Sequence, residues 1–355
     1  MKIIKKVINQ TSWQLLAKII SSISTLAVLS IISRQYGVEG VGLYTLALTY
    51  LAVFYLLADL GLNGHVLAEL ESNPKLAEQL WRFRIIWGLV LIGLANIFVW
   101  FIPGFGVSLW LPVLAGSFSI LGSAINNSCN LWFQKRLTYQ FSSSPVILSA
   151  LVILPLYWVY GYLKLPVEYL TILVSVSWML IGLVSLINVK RSVNWQLGAI
   201  DWRSIKNILV SAWPMTATLV VNVIYFRVDV FFLNHFHSLT EVGVYNLAFQ
   251  FFQNALVLPT FVMNSYYPLL LHRYQQTKEL LNNEWFKAMS LLVAIGVVGL
   301  GVTFLVSDVL ILLVSGLEND SAAVLKILSL SFPAFFGSAL AMWTMVLLKR
   351  YKREN

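Results

Sequence analysis

The sequence predicts an all-α, polytopic membrane protein of about ten transmembrane helices in two pseudo-repeated lobes, the second of them truncated. Three observations carry this. Of 355 residues, 59% are hydrophobic and only 11% charged, with a mean hydropathy of +0.78, whereas a soluble domain is about 25% charged. Apolar stretches long enough to cross a bilayer recur from end to end. A short motif also occurs twice, each time between two such stretches.

The motif is Val41-Gly42-Leu43-Tyr44-Thr45-Leu46-Ala47, which returns 201 positions on as Val242-Gly243-Val244-Tyr245-Asn246-Leu247-Ala248. The first copy closes the polar, glycine-rich stretch that begins at Tyr36-Gly37. One reading is a hairpin made twice, hence two similar bundles in series, an arrangement usual for transporters. The other is a tight turn entering a helix, used twice for its local chemistry.

Taken in order, helices are expected over 10–33 and 42–63, then a polar link over 64–82. A third helix covers 84–102, with Pro103-Gly104 as its turn, and a fourth covers 109–133. A polar link at 134–143 precedes helices over 144–163 and from Pro166 to 188. These six form the N-terminal lobe, 1–188. The segment 189–206 is basic and carries Trp195 and Trp202, which suits a surface-lying cytoplasmic linker. The C-terminal lobe, 207–355, has helices over 207–234, 242–266, from 285 to as far as 314, and 324–348. The start, Met1-Lys2-Ile3-Ile4-Lys5-Lys6, reads as the approach to an uncleaved first helix, because Gln14 and Lys18 interrupt the apolar run behind it.

The net charge of +9 is explained by its placement. With the N-terminus in the cytoplasm and the helices alternating, most Lys and Arg fall on cytoplasmic ends, and only Arg34, Lys164 and Lys326 fall in the outer loops. Nucleic acid is therefore not needed as a partner. The single cysteine, Cys129, excludes an internal disulfide and a cysteine-based metal site. No phosphate loop, nucleophile elbow or spaced metal ligands appear, and His235 and His237 read as a solvated loop. The expectation is no enzyme, no cofactor and no metal.

Candidate site residues are the polar groups set where lipid should be. Lys18 lies about 12 Å along its helix at 1.5 Å per residue. With Gln10, Gln14, Ser22 and Thr25 it makes one polar stripe. A charge in the bilayer centre costs about 2.5–3.5 kcal/mol on insertion scales. Lys18 is thus expected to bind a substrate anion or to pair with Asp59. Arg227 and Asp229 share the seventh helix but point about 200° apart. Arg227 is a candidate for anionic substrate, and Asp229 for a coupling cation or a structural pair. Alternatively, both anchor that helix near its outer interface. Asn246, Gln250, Gln253 and Asn254 form one amide face, matched across the repeat by Thr45 and Thr49. Such rows suit sugar hydroxyls, or hydrogen bonds between helices.

Ser33-Arg34-Gln35-Tyr36-Gly37, Gly40-Val41-Gly42-Leu43-Tyr44 and Asp59-Leu60-Gly61-Leu62 resemble polysaccharide (O-antigen-type) flippases, as does Arg227-Val228-Asp229 ahead of Val242-Gly243-Val244-Tyr245. That family belongs to the superfamily of lipid II flippases and multidrug and toxic compound extrusion transporters. The resemblance implies two six-helix lobes around a central cavity and alternating access. It implies a polyprenyl-diphosphate-linked oligosaccharide flipped to the outer leaflet of the plasma or inner membrane for surface polysaccharide export. Membrane lipids and glycosyltransferase or polymerase neighbours are the implied partners. A cation-coupled exporter of small amphipathic molecules is the alternative. The chain departs from the family's pattern in ending after about ten spans.

Overall fold

The computed structural model describes residues 2–69, 76–102, 105–192, 201–263, 266–267, 270, 283–316 and 318–354. Twelve α-helices are defined among them. They are α1 (Lys2–Asp59), α2 (Leu62–Glu69), α3 (Leu76–Phe98), α4 (Gly106–Gly116), α5 (Phe118–Arg136) and α6 (Gln140–Tyr162), then α7 (Ile172–Ser192), α8 (Trp202–Phe236), α9 (Leu239–Ala255), α10 (Asn283–Ser315), α11 (Ser321–Ser329) and α12 (Phe332–Glu354). There is no strand among the described residues. Two compact units result, Met1–Gly243 and Val244–Asn355.

Among the described residues six helices are long and apolar enough to cross a membrane, or eight if α4–α5 and α11–α12 each count as one bent span. The first candidate, Ser12–Gly64, has 53 residues. At 1.5 Å per residue it would reach about 80 Å, more than twice a hydrocarbon core of about 30 Å. It is therefore two crossings, bent at Gly37, whose φ of 72° and ψ of −177° depart from the helix. The expected glycine-rich turn is this one residue. Gly40 and Gly42 lie within the helix that follows.

Within the first unit, close backbone approach and short hydroxyl bonds hold the helices. A Cβ on Gly122 of α5 would collide with the Trp178 backbone of α7, and one on Gly182 would stand 2.9 Å from the Gly122 carbonyl oxygen. Small residues are the usual means of bringing membrane helices this close. Thr171 and Ser175 at the start of α7 donate to the carbonyls of Pro112 (2.6 Å) and Ala115 (2.7 Å) in α4. The second arm of α1 meets α6 through the Tyr44 and Tyr157 hydroxyls, 2.7 Å apart, and meets α3 through Tyr50, which donates to the Ala95 carbonyl at 2.7 Å. Each pairing satisfies a polar group that would otherwise be left in hydrocarbon.

Several boundaries move. The third helix begins at Leu76, because Leu76, Ala77 and Leu80 bury against Leu62, Val66 and Ile208. Arg82 and Arg84 are therefore inside it. The fourth expected helix is α4 and α5, bent by 42°, and the tenth is α11 and α12, bent by 45°. Part of the expected basic linker, 193–200, lies outside the described residues.

In the second unit, Phe252 of α9 stacks on Phe332 of α12, centroids 5.5 Å apart. Gly296 of α10 lets the Pro333 backbone approach: an added Cβ would stand 2.7 Å from the Pro333 Cα. Trp285 Nε1 donates to Thr344 Oγ1 at 3.0 Å. Asp308 lies within α10 and accepts from Lys326 Nζ at 2.7 Å.

Candidate functional site

A connected charged cluster sits where α1 ends. After Asp59, Leu60 (φ 51°) and Gly61 (φ 64°) take the left-handed conformation, and α2 starts at Leu62. Such a break leaves the last carbonyls of the helix without intrahelical donors. Side chains from two other helices supply them. Trp87 Nε1 of α3 donates to the Leu57 carbonyl at 2.8 Å, and Thr216 Oγ1 of α8 donates to the Leu60 carbonyl at 2.7 Å. Arg84 of α3 donates through Nη2 to the Asp59 carbonyl at 3.0 Å and its carboxylate at 3.1 Å. Its Nη1 donates to Asn63 Oδ1 at 2.7 Å, and Asn63 Nδ2 passes the chain on to the Asn127 carbonyl of α5 at 2.8 Å.

Arg84 is 0% exposed and Asp59 35%. In place of Lys18, Arg84 is the ion-pair counterpart that Asp59 acquires. With the third helix expected to start at residue 84, Arg84 reads from sequence as an interfacial charge. Its depth, about 12 Å of rise over eight residues, shows only once the helix is seen to start at Leu76. The break at Leu60 and Gly61, which leaves carbonyls in need of donors, is likewise visible only in the structure.

Lys18 is exposed on the first arm of α1 beside exposed Gln14, with Ser22 and Thr25 half-buried. Thr25 returns its hydroxyl to the Ser21 carbonyl at 2.9 Å. The side chain of Gln10 lies outside the described residues. Arg227 and Asp229 are both half-buried on α8, and Asp229 Oδ1 accepts from the Val230 N–H at 2.8 Å. Thr45 and Thr49 are buried in the first unit, and Thr45 spends its hydroxyl on the Val41 carbonyl at 2.7 Å. Asn246 is buried in the second unit, whereas Gln250, Gln253 and Asn254 are half-buried there.

Both copies of the repeated motif meet at one point. A Cβ on Gly42 would run into the Leu239 carbonyl oxygen, and one on Gly243 into that of Val38. Beside this contact, at the Gly37 bend, lies a cleft of about 470 Å³ lined by Tyr36, Glu39, Val107, Ser108 and Glu168 among others. Among the described residues no three His, Cys, Asp or Glu side chains gather into a metal site.

The arrangement can hold polar and cationic groups within membrane-length helices, which is what carrying a hydrophilic cargo requires. The fold is that of known transporters. It superposes on the lipid II flippase MurJ in an inward closed conformation with a TM-score of 0.74 at 15% identity, covering 96% of this chain and 76% of that one. An inward-facing multidrug resistance MATE family transporter of the MOP superfamily gives 0.67 at 14% identity, covering 92% and 83%. No curated protein matches the chain in sequence. The family described as polysaccharide biosynthesis protein matches residues 7–275, which takes in the kinked α1, the Arg84 cluster and the repeated motif, and the chain belongs to that family.

Proposed function

We propose that the chain flips a polyprenyl-diphosphate-linked oligosaccharide from the cytoplasmic to the outer leaflet by alternating access, for cell-surface polysaccharide. The observation that supports this best is a lysine, Lys18, held exposed on a membrane-length helix of a polysaccharide biosynthesis family member. A diphosphate and its sugars do not cross hydrocarbon unaided, and a cation at that depth offsets the desolvation of an anion. In this reading Lys18 and Arg227 receive the diphosphate. Asn246, Gln250, Gln253 and Asn254, with Thr45 and Thr49 once their helices part, receive sugar hydroxyls. Asp229 and Asp59 serve coupling or structure, Asp59 through Arg84. The N-terminus is cytoplasmic in the plasma or inner membrane, the lobes are 1–188 and 207–355 about a basic linker, and glycosyltransferases or a polymerase act alongside.

The test is surface glycan display in a strain lacking its own flippase, complemented by the wild-type chain, Lys18→Ala, Arg227→Ala and the double variant. At least tenfold loss in the double variant at unchanged membrane level is expected. Full display by both single variants and the double would remove the cation clamp.

A further inference from the structure

Helix α8 carries a second pattern, apart from Arg227. At about 100° per residue, Ser211, Thr218, Asn222, Tyr225 and Asp229 fall within about 40° of one line. Ser211, Thr218 and Asn222 are exposed, Tyr225 is 64% exposed, and Asp229 is half-buried. Met215 is the apolar member of the line, and it packs toward Gly61. The buried seam of α8, formed by Ile205, Ile208, Ala212, Thr216 and Val230, lies about 100° to one side. The exposed apolar face, with Val210, Val221 and Ile224, lies about 100° or more to the other. The polar line therefore runs along the border between the packed and the lipid-like faces. From Ser211 to Asp229 it rises about 27 Å, close to the whole hydrocarbon thickness of about 30 Å.

We infer that this line is a wet track that binds the uncharged saccharide part of a lipid-linked substrate as it crosses. The inference rests on the function proposed above and assigns four residues to it that nothing else singles out: Ser211, Thr218, Asn222 and Tyr225. The chemistry selects the occupant. The Ser211 hydroxyl, the Asn222 amide and the Asp229 carboxylate supply donors and acceptors matched to vicinal sugar hydroxyls, Thr218 Oγ1, which donates to the Pro214 carbonyl at 2.9 Å, adds an acceptor, and the Tyr225 ring offers an apolar face for a pyranose. Arg227 points about 200° from Asp229, so the line holds no cation of its own and suits sugars better than a diphosphate. Polar groups spaced over a full crossing would be costly against lipid tails, whereas along a hydrated path they cost little. The adjacent Val210–Val221–Ile224 face is where lipid hydrocarbon lies.

The experiment has two arms. Single cysteines replace Ser211, Thr218 and Asn222 on the track, and Val210, Val221 and Ile224 on the apolar face. The native Cys129 is 1% exposed and stays as a silent background. A charged, membrane-impermeant methanethiosulfonate is applied to membranes opened to both sides. Track cysteines are expected to react at least tenfold faster than apolar-face cysteines, and equal rates on both faces would overturn the wet track. In the second arm, Asn222→Val and Tyr225→Ala are expected to lower surface glycan at least tenfold at unchanged membrane level, with Tyr225→Phe largely restored. Normal export by Asn222→Val and Tyr225→Ala would overturn the saccharide assignment and leave the flippase reading standing. If the wild-type chain itself exports no glycan, the flippase reading fails and the saccharide assignment with it, while the thiol rates still judge the track.

Discussion

Gly42 and Gly243 stand backbone to backbone: a Cβ on Gly42 would lie 3.1 Å from the Gly243 nitrogen, and one on Gly243 would lie 3.0 Å from the Gly42 nitrogen. The relation is reciprocal. Gly42 faces the carbonyl of Leu239, and Gly243 faces that of Val38. Val38 and Leu239 are separated by the same 201 positions as the two glycines. Repeat-equivalent residues thus exchange equivalent contacts, as in a two-fold interface between identical subunits.

A methyl added at either glycine forces the two helix turns apart, and overpacking of this kind typically costs about 1–3 kcal/mol. Gly42→Ala and Gly243→Ala are each expected to lower the thermal unfolding midpoint of the purified protein in detergent. Once one methyl has opened the contact, the second meets little resistance. The double variant should fall well short of the sum of the two single effects, because both act on one contact. Strict additivity would show that the two glycines do not share it.

Removing Arg84 leaves the Asp59 carboxylate and carbonyl with fewer donors inside the bundle. Loss of one member of a fully buried ion pair costs about 3–5 kcal/mol, and because the Asp59 left behind is 35% exposed the cost here falls toward the value of about 1.5–3 kcal/mol for a lost hydrogen bond to a charged group. Arg84→Met is expected to destabilise by that order, and Arg84→Lys by a substantial part of it, because a lysine cannot reach Asn63 and Asp59 with one planar fork. Arg84→Met combined with Asp59→Asn should recover part of the loss. Unfolding of the detergent-solubilised variants checks this, and a near-neutral Arg84→Met would show that the cluster carries no stability.

Much of the fold was legible because membrane helices announce themselves by length and hydropathy; the helical fold follows from that, and the expected ten or so spans compare with six to eight candidates among the described residues, the first of them two crossings. That Lys18, Arg227 and Asp229 fall within helices was also readable, although α1 starts at Lys2 and not near residue 10, so Lys18 lies farther along its helix than expected. Partners were not readable. Nothing in the local pattern around Arg84 says that Asp59 and Asn63 turn toward it, because a fully buried arginine differs from an interfacial one only through tertiary contacts. The repeated motif was readable as a repeat. That its copies would touch was not, because close glycine approach is a property of two segments together. Thr45 is the converse case: its hydroxyl donates to the Val41 carbonyl of its own helix, a local bond that the sequence pattern does not reveal.

Asp201 caps the N-terminus of α8. Its carboxylate accepts from the Ser204 hydroxyl at 2.6 Å and from the Arg203 N–H at 3.0 Å. Those bonds, the Ser204 one foremost, hold its pKa below the ordinary aspartate value. A depressed carboxylate contributes to the fold above its unfolded pKa of about 3.9 and loses that contribution as pH falls through the folded value. Hydrogen exchange in the first turn of α8, corrected for intrinsic rates, is therefore expected to stay protected from neutral pH to about 4 and to rise below it. Asp201→Asn keeps an acceptor for the cap and should flatten this acid dependence. A first turn equally protected across the range in the wild-type chain would show that the carboxylate does not hold it.

Gly37 separates backbone strain from crowding. Nothing lies within 4 Å of a Cβ placed there, and the same is true at Gly93 in α3. Space is therefore equal at the two positions, and conformation differs. Gly37 has φ 72° and ψ −177°, a region essentially confined to glycine. Gly93 is exposed in the interior of a regular helix. Gly37→Ala should cost about 1–3 kcal/mol, the usual strain of forcing a side chain into that region. Gly93→Ala should stabilise by about 0.4–1 kcal/mol through the unfolded chain. The bend at Gly37 is what divides α1 into two crossings, so its alanine variant is also expected to reduce correct insertion. That is measurable as altered protease or thiol accessibility of Arg34→Cys at the bend. A Gly37→Ala protein as stable and as well inserted as Gly93→Ala would mean that the bend is imposed by the surrounding helices and needs no glycine.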